Sequence, residues 1–211
     1  MDARRLLLGD WNRWIRDPID VLRALLVAGA IAFALAGVGR GALILALAGT
    51  AAWAVRPVLL PRAYDLCVVL ALTLQSWGEA LGFYDTVAWF DTLVHFTVPL
   101  LGAPVLYIVL ARLDVAPDPR DDTHARHYVG MAILTFALGG AIGAVWEIVE
   151  WSSDNVFGSE LQESNDDTVY DLMADSAGAL CGAALLVCWA RFSWGSVRRI
   201  PGENRYEDVD A

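Results

Sequence analysis

Apolar residues run along this chain in six stretches separated by polar punctuation, and most approach the ~20 residues needed to cross a ~30 Å hydrocarbon layer. The pattern predicts helices over residues 21–38, 42–55, 63–81, 87–111, 128–151 and 170–190. Glycine and proline mark the returns: Gly39 and Gly41, then Pro57 and Pro61, then Gly82, then Pro117 and Pro119. The second stretch is short, and Arg56 at its end is expected to extend it by snorkelling to the headgroups. Pro99 and Pro104 fall inside the fourth and predict a kink. Residues 152–169 predict a loop. Residues 1–20 place Leu6, Leu7, Trp11 and Trp14 among arginines, the pattern of an amphipathic segment lying along the membrane surface. The expected architecture is all-α and polytopic. It comprises an interfacial segment (1–20), a bundle of about six transmembrane helices (21–190) and a charged cytoplasmic tail (191–211).

Composition supports the membrane reading, since 57% of the 211 residues are hydrophobic and no polar stretch is long enough to build a second core. The formal charge of −10 conceals a sorting by side. All 15 basic residues are arginines, and in a six-span topology only Arg40 falls opposite the others. The positive-inside rule then puts both termini in the cytoplasm and the protein in the cytoplasmic membrane. The three cysteines, Cys67, Cys181 and Cys188, lie within apolar stretches and read as small hydrophobes rather than as disulfides or metal ligands.

Against this background the acids stand out. Glu147, Glu150 and Asp154 fall within roughly 60° of one another at 100° per residue, forming one stripe. Asp91 with His95, and Asp171 with Asp175, are each spaced i,i+4 and stack on one helix face. Glu79 lies at similar depth, so seven carboxylates and one imidazole gather towards the outer ends of four helices. Asp171 has a competing structural explanation, because 168–171 has the spacing of a capping box. Gly102, Gly139, Gly143, Gly178 and Gly182 continue the same stripes, and small residues at this spacing let membrane helices approach closely.

Carboxylates gathered at low dielectric must share protons or bind cations. The oxygen-rich set with a single nitrogen suits a divalent metal ion, Mg²⁺, Mn²⁺, Ca²⁺ or Zn²⁺. The expected ligands are Asp91, His95, Glu147, Glu150, Asp171 and Asp175, with Glu79 and Asp154 behind them or in alternative roles.

Three stretches in order, 90–96 (FDTLVHF), 146–151 (WEIVEW) and Gln162 followed by 167–175 (DTVYDLMAD) with Gly178, resemble the YjdF-like family of uncharacterised bacterial multi-span inner-membrane proteins. The resemblance implies a multi-span fold carrying this acid and histidine set, and no reaction. From the residues themselves, the leading expectation is a metal-dependent hydrolase or transferase acting on a lipid-linked or phosphate-bearing substrate. An ion- or proton-coupled transporter and a structural membrane subunit stand beside it. The partners this reading names are the lipid bilayer and such a substrate, and no motif points to nucleic acid.

Overall fold

The computed structural model describes residues 18–58, 60–119, 124–159, 161, 162, 164–192, 197–199 and 206–208. Most of the predicted interfacial segment therefore lies outside the described residues. Among these residues are seven helices: α1 (Pro18–Leu35), α2 (Gly39–Val55), α3 (Arg62–Ala80), the single turn α4 (Phe83–Thr86), α5 (Phe90–Arg112), α6 (His127–Phe157) and α7 (Asn165–Phe192). A short antiparallel strand pair, Val197–Arg199 with Tyr206–Asp208, follows the bundle, so the tail adds a minor β element to an otherwise all-helical chain.

Four helices, α1, α5, α6 and α7, are long and apolar enough to cross a membrane; α2 is equally apolar but shorter. α3 has comparable length, yet Asp65, Gln75 and Glu79 lower its hydropathy. Outward-facing Leu25, Ile31, Leu43, Leu47, Ile133, Val145, Ile148, Leu180 and Leu185 are exposed, a surface suited to lipid tails rather than water. At 1.5 Å per residue, α6 with 31 residues is about 46 Å long, well beyond a ~30 Å hydrocarbon layer. Its ends must therefore reach the headgroup region.

α1, α2 and α3 form one packed group, α5, α6 and α7 another, and α3 joins them by packing on α5. Leu26, Leu45, Ala48, Ala52 and Val69 fill the first group. Tyr64, Val105, Ile108, Met131, Leu186 and Trp189 fill one end of the second. The remaining end, where α5 and α7 begin and α6 finishes, holds the acids.

Close backbone approach brings α5, α6 and α7 together. Buried residues on α6 recur every fourth position, His127, Met131, Thr135, Gly139, Gly143 and Glu147, a single ridge that ends on a carboxylate. Gly139 faces Ala179 and Ala103, Gly143 faces the Asp175 side chain, and Gly178 lies against the Phe96 carbonyl. Gly182 meets the carbonyl of Leu100, which Pro104 deprives of its helical N–H partner. The helix continues unbroken through both prolines, and at Pro104 a glycine backbone closes on the freed carbonyl. Gly102 is looser, with only Ile142 nearby.

Three sequence expectations are corrected. The predicted 152–169 loop is mostly helical: α6 runs on to Phe157, Gly158 closes it at φ 68°, and α7 begins at Asn165. The cap of α7 is Ser164, whose Oγ accepts from the Asp167 N–H at 3.1 Å, so Asp171 lies further along the helix and is no capping residue. Arg56 does not snorkel outward. It is buried, and donates from Nε to Asp20 Oδ1 at 2.8 Å and from Nη2 to Asp20 Oδ2 at 2.5 Å.

Candidate functional site

His95 is the hub of the acidic end. It lies one turn beyond Asp91 on α5 and is 4% exposed, so its ring is locked by packing. Nδ1 stands 3.3 Å from Asp175 Oδ2 and 3.9 Å from Glu147 Oε1, while Nε2 stands 3.6 Å from Asp91 Oδ1. Trp146 meets the imidazole edge-on, with ring centroids 6.4 Å apart. Glu147, Asp171 and Asp175 are all buried; Asp91 is about a third exposed.

Two sets of side chains converge to metal-binding distances. Ligand atoms of Asp91, His95 and Asp171 lie within 4.8 Å of one another, as do those of His95, Glu147 and Glu150. Octahedral bonds of about 2.1 Å separate ligand atoms by roughly 3 to 4.2 Å, so small side-chain movements would close either set on an ion. Several buried polar atoms lack a hydrogen-bond partner among the described residues: His95 Nε2 and both carboxylate oxygens of Glu147. The Thr168 hydroxyl faces Glu147 without reaching hydrogen-bond geometry. Glu150 is steadied by the Trp146 indole N–H, which donates to its Oε1 at 2.8 Å.

The other two acids turn elsewhere. Glu79 pairs with Arg40 at 2.5 Å, using the one arginine at this end of the bundle among the described residues. Asp154 organises the α6–α7 loop: Oδ1 accepts from Ser159 Oγ and the Leu161 N–H, and Oδ2 from the Gln162 N–H. These bonds resolve the apparent conflict of an acid at a helix C-terminus, because loop N–H groups are brought to it.

Sequence reasoning missed Tyr84. Its ring packs edge-on against Phe90, and its hydroxyl is buried without a hydrogen-bond partner among the described residues. Burial, and then the nearby carboxylates of Asp91, Glu79 and Glu150, push its ionisation above the usual range. It is a protonated donor at the edge of the centre. The Gly82 turn before the α4 residues was visible in the sequence, but nothing there marked which ring would fold inward. A small cleft, with room for about one water, opens beside His95 and Asp175, walled by Gln75 of α3, Val94 and Val98 of α5, and Ile142, Gly143 and Trp146 of α6.

The missed counterpart lies at the opposite end of the bundle. Arg23, only 1% exposed, donates to Asp20 Oδ1 and the Ala52 carbonyl, each at 2.9 Å, and pairs with Asp65. With the two Arg56 bonds to Asp20, this network ties α1, α2 and α3 together.

Comparison with known proteins finds a relative from Thermotoga maritima, described only as an uncharacterized protein. It is 26% identical over 139 residues, covering 64% of this chain and 68% of the relative. No solved structure matches. Residues 20–192 match the family described as predicted membrane protein (DUF2238), a span that contains all seven helices except the first residues of α1. The ordered motifs on α5, α6 and α7, the apolar bundle and this match agree: the chain belongs to the DUF2238 family of membrane proteins.

Proposed function

We propose that the acidic end binds a divalent cation through Asp91, His95 and Asp171, and that it serves a hydrolase or transferase acting on a lipid-linked or phosphate-bearing substrate. The observation that carries the reading is His95 Nε2, a buried nitrogen without a hydrogen-bond partner among the described residues and 3.6 Å from Asp91. Asp175, on the Nδ1 side, would accept the ring proton and leave Nε2 as the ligand atom, the usual arrangement behind a metal-bound histidine. A cation held there would polarise an ester or phosphate oxygen and lower the pKa of bound water. A carboxylate outside the ligand set would take the proton.

The small cleft between Val94, Val98 and Ile142 gives His95 and Asp175 an apolar approach, compatible with a substrate whose chain stays in the bilayer. The arginine distribution supports cytoplasmic termini and an outward-facing centre. The test is metal analysis of the protein purified in detergent without chelator, wild type against His95→Ala. Stoichiometric divalent metal in the wild type and its loss in the variant are expected; metal-free wild type that also fails to take up Mg²⁺, Mn²⁺, Ca²⁺ or Zn²⁺ would overturn the reading.

A further inference from the structure

The second ligand set raises a separate question: what Glu147 and Glu150 are for. Both project from α6, Glu147 Oε1 lies 3.9 Å from His95 Nδ1, the nitrogen opposite the one that faces Asp91, and ligand atoms of the two acids and His95 lie within 4.8 Å of one another. Glu147 is 7% exposed, yet neither of its oxygens has a hydrogen-bond partner among the described residues. Glu150 has Oε1 held by Trp146 and is thereby aimed rather than free to swing. Two neighbouring carboxylates, one buried and unsatisfied and the other steadied, are an incomplete coordination shell.

We infer that the centre has a second cation position, built on Glu147 and Glu150, that receives a hard divalent cation and through it the phosphate oxygens of the substrate. This rests on the proposed metal reading and extends it. If Nδ1 of His95 is committed to Asp175 at 3.3 Å and Nε2 to the first position, no protein nitrogen remains for the second. An all-oxygen position with only two carboxylates is the kind that Mg²⁺ and Mn²⁺ occupy, completing their shells with water and phosphate. Charge points the same way. Asp91, Glu147, Glu150, Asp171 and Asp175 surround one imidazole, and Arg40, the arginine at this end, is taken by Glu79. One divalent cation offsets two of those charges and leaves the Glu147 side uncompensated; a second offsets it. Phosphate recognition without an arginine cluster then has a physical basis, since paired cations can clamp a phosphoryl group between them.

The experiment counts Mn²⁺ bound to the full-length protein in detergent, by equilibrium titration read by electron paramagnetic resonance, for wild type, Glu150→Gln and Asp171→Asn. Two ions per chain are expected for wild type and one for each variant. The glutamine retains an amide oxygen for Trp146, so Glu150→Gln preserves the local packing. Inorganic phosphate should bind the Mn²⁺-loaded wild type and be lost at least tenfold in affinity by Glu150→Gln. One ion in wild type would overturn the second position while leaving the first; no ion would overturn both; two ions retained in Glu150→Gln would also overturn it.

Discussion

The two ends of this bundle bury charge in opposite ways. At one end Asp20, Arg23, Arg56 and Asp65 set two guanidinium groups against two carboxylates, and the arginines spend their donors on those acids and on the Ala52 carbonyl. At the other, five carboxylates surround His95, with a buried nitrogen and a buried carboxylate left unsatisfied. Buried charge is tolerated only when compensated. The first end carries its compensation in its own sequence, whereas at the second, on the reading proposed above, a bound cation would supply it. The closed cluster holds α1, α2 and α3 together; the open one is the proposed cation site.

The largest expected effect breaks the closed cluster. Arg23→Ala removes a guanidinium from Asp65 and leaves Asp20 with its Arg56 bonds, and should lower unfolding stability in detergent by about 3 kcal/mol, the low end for a broken buried pair, while leaving metal content intact in the folded fraction. Gly178→Leu comes next, at about 1–3 kcal/mol or more, because a side chain there meets the Phe96 carbonyl. Since it pries α7 from α5, it should weaken cation binding as well, a coupling that Arg23→Ala lacks. Glu147→Gln carries the opposite sign in chelator. Neutralising a buried, unsatisfied carboxylate should leave the protein as stable as wild type or about 1 kcal/mol more stable, with part of its cation response lost. The smallest effect belongs to Asp154→Asn, which disturbs the loop hydrogen bonds and should leave cation affinity unchanged. Thermal unfolding with and without Mn²⁺ orders all four.

The fold was legible where periodicity and length carry the information. The apolar stripes of α5, α6 and α7 and their glycines pointed to the faces that meet, because small-residue spacing and burial are the same signal in a membrane helix. Helix ends were less legible: α6 extends beyond its apolar run because Asp154 and Gly158 close it further on, at polar positions that hydropathy assigns to a loop. The meeting of Asp91, His95, Glu147, Glu150, Asp171 and Asp175 followed from common depth and common faces. The partners of Glu79, Asp154 and Arg56 did not, since Arg40, the loop N–H groups and Asp20 reach them through three-dimensional packing that no local spacing encodes. Tyr84 was hidden for the same reason.

The contrast between a self-compensated end and one proposed to take up a cation is tested most directly by linkage. Unfolding free energy would be measured for wild type and His95→Ala in chelator and again in Mn²⁺ at 100 times the dissociation constant measured for wild type. Wild type should gain about 2.7 kcal/mol for each cation position filled at that ratio, and the gain should shrink as pH falls, because protons compete for the same carboxylates and imidazole. His95→Ala should gain little. Equal stability with and without the cation in wild type, at every pH tried, would contradict the account.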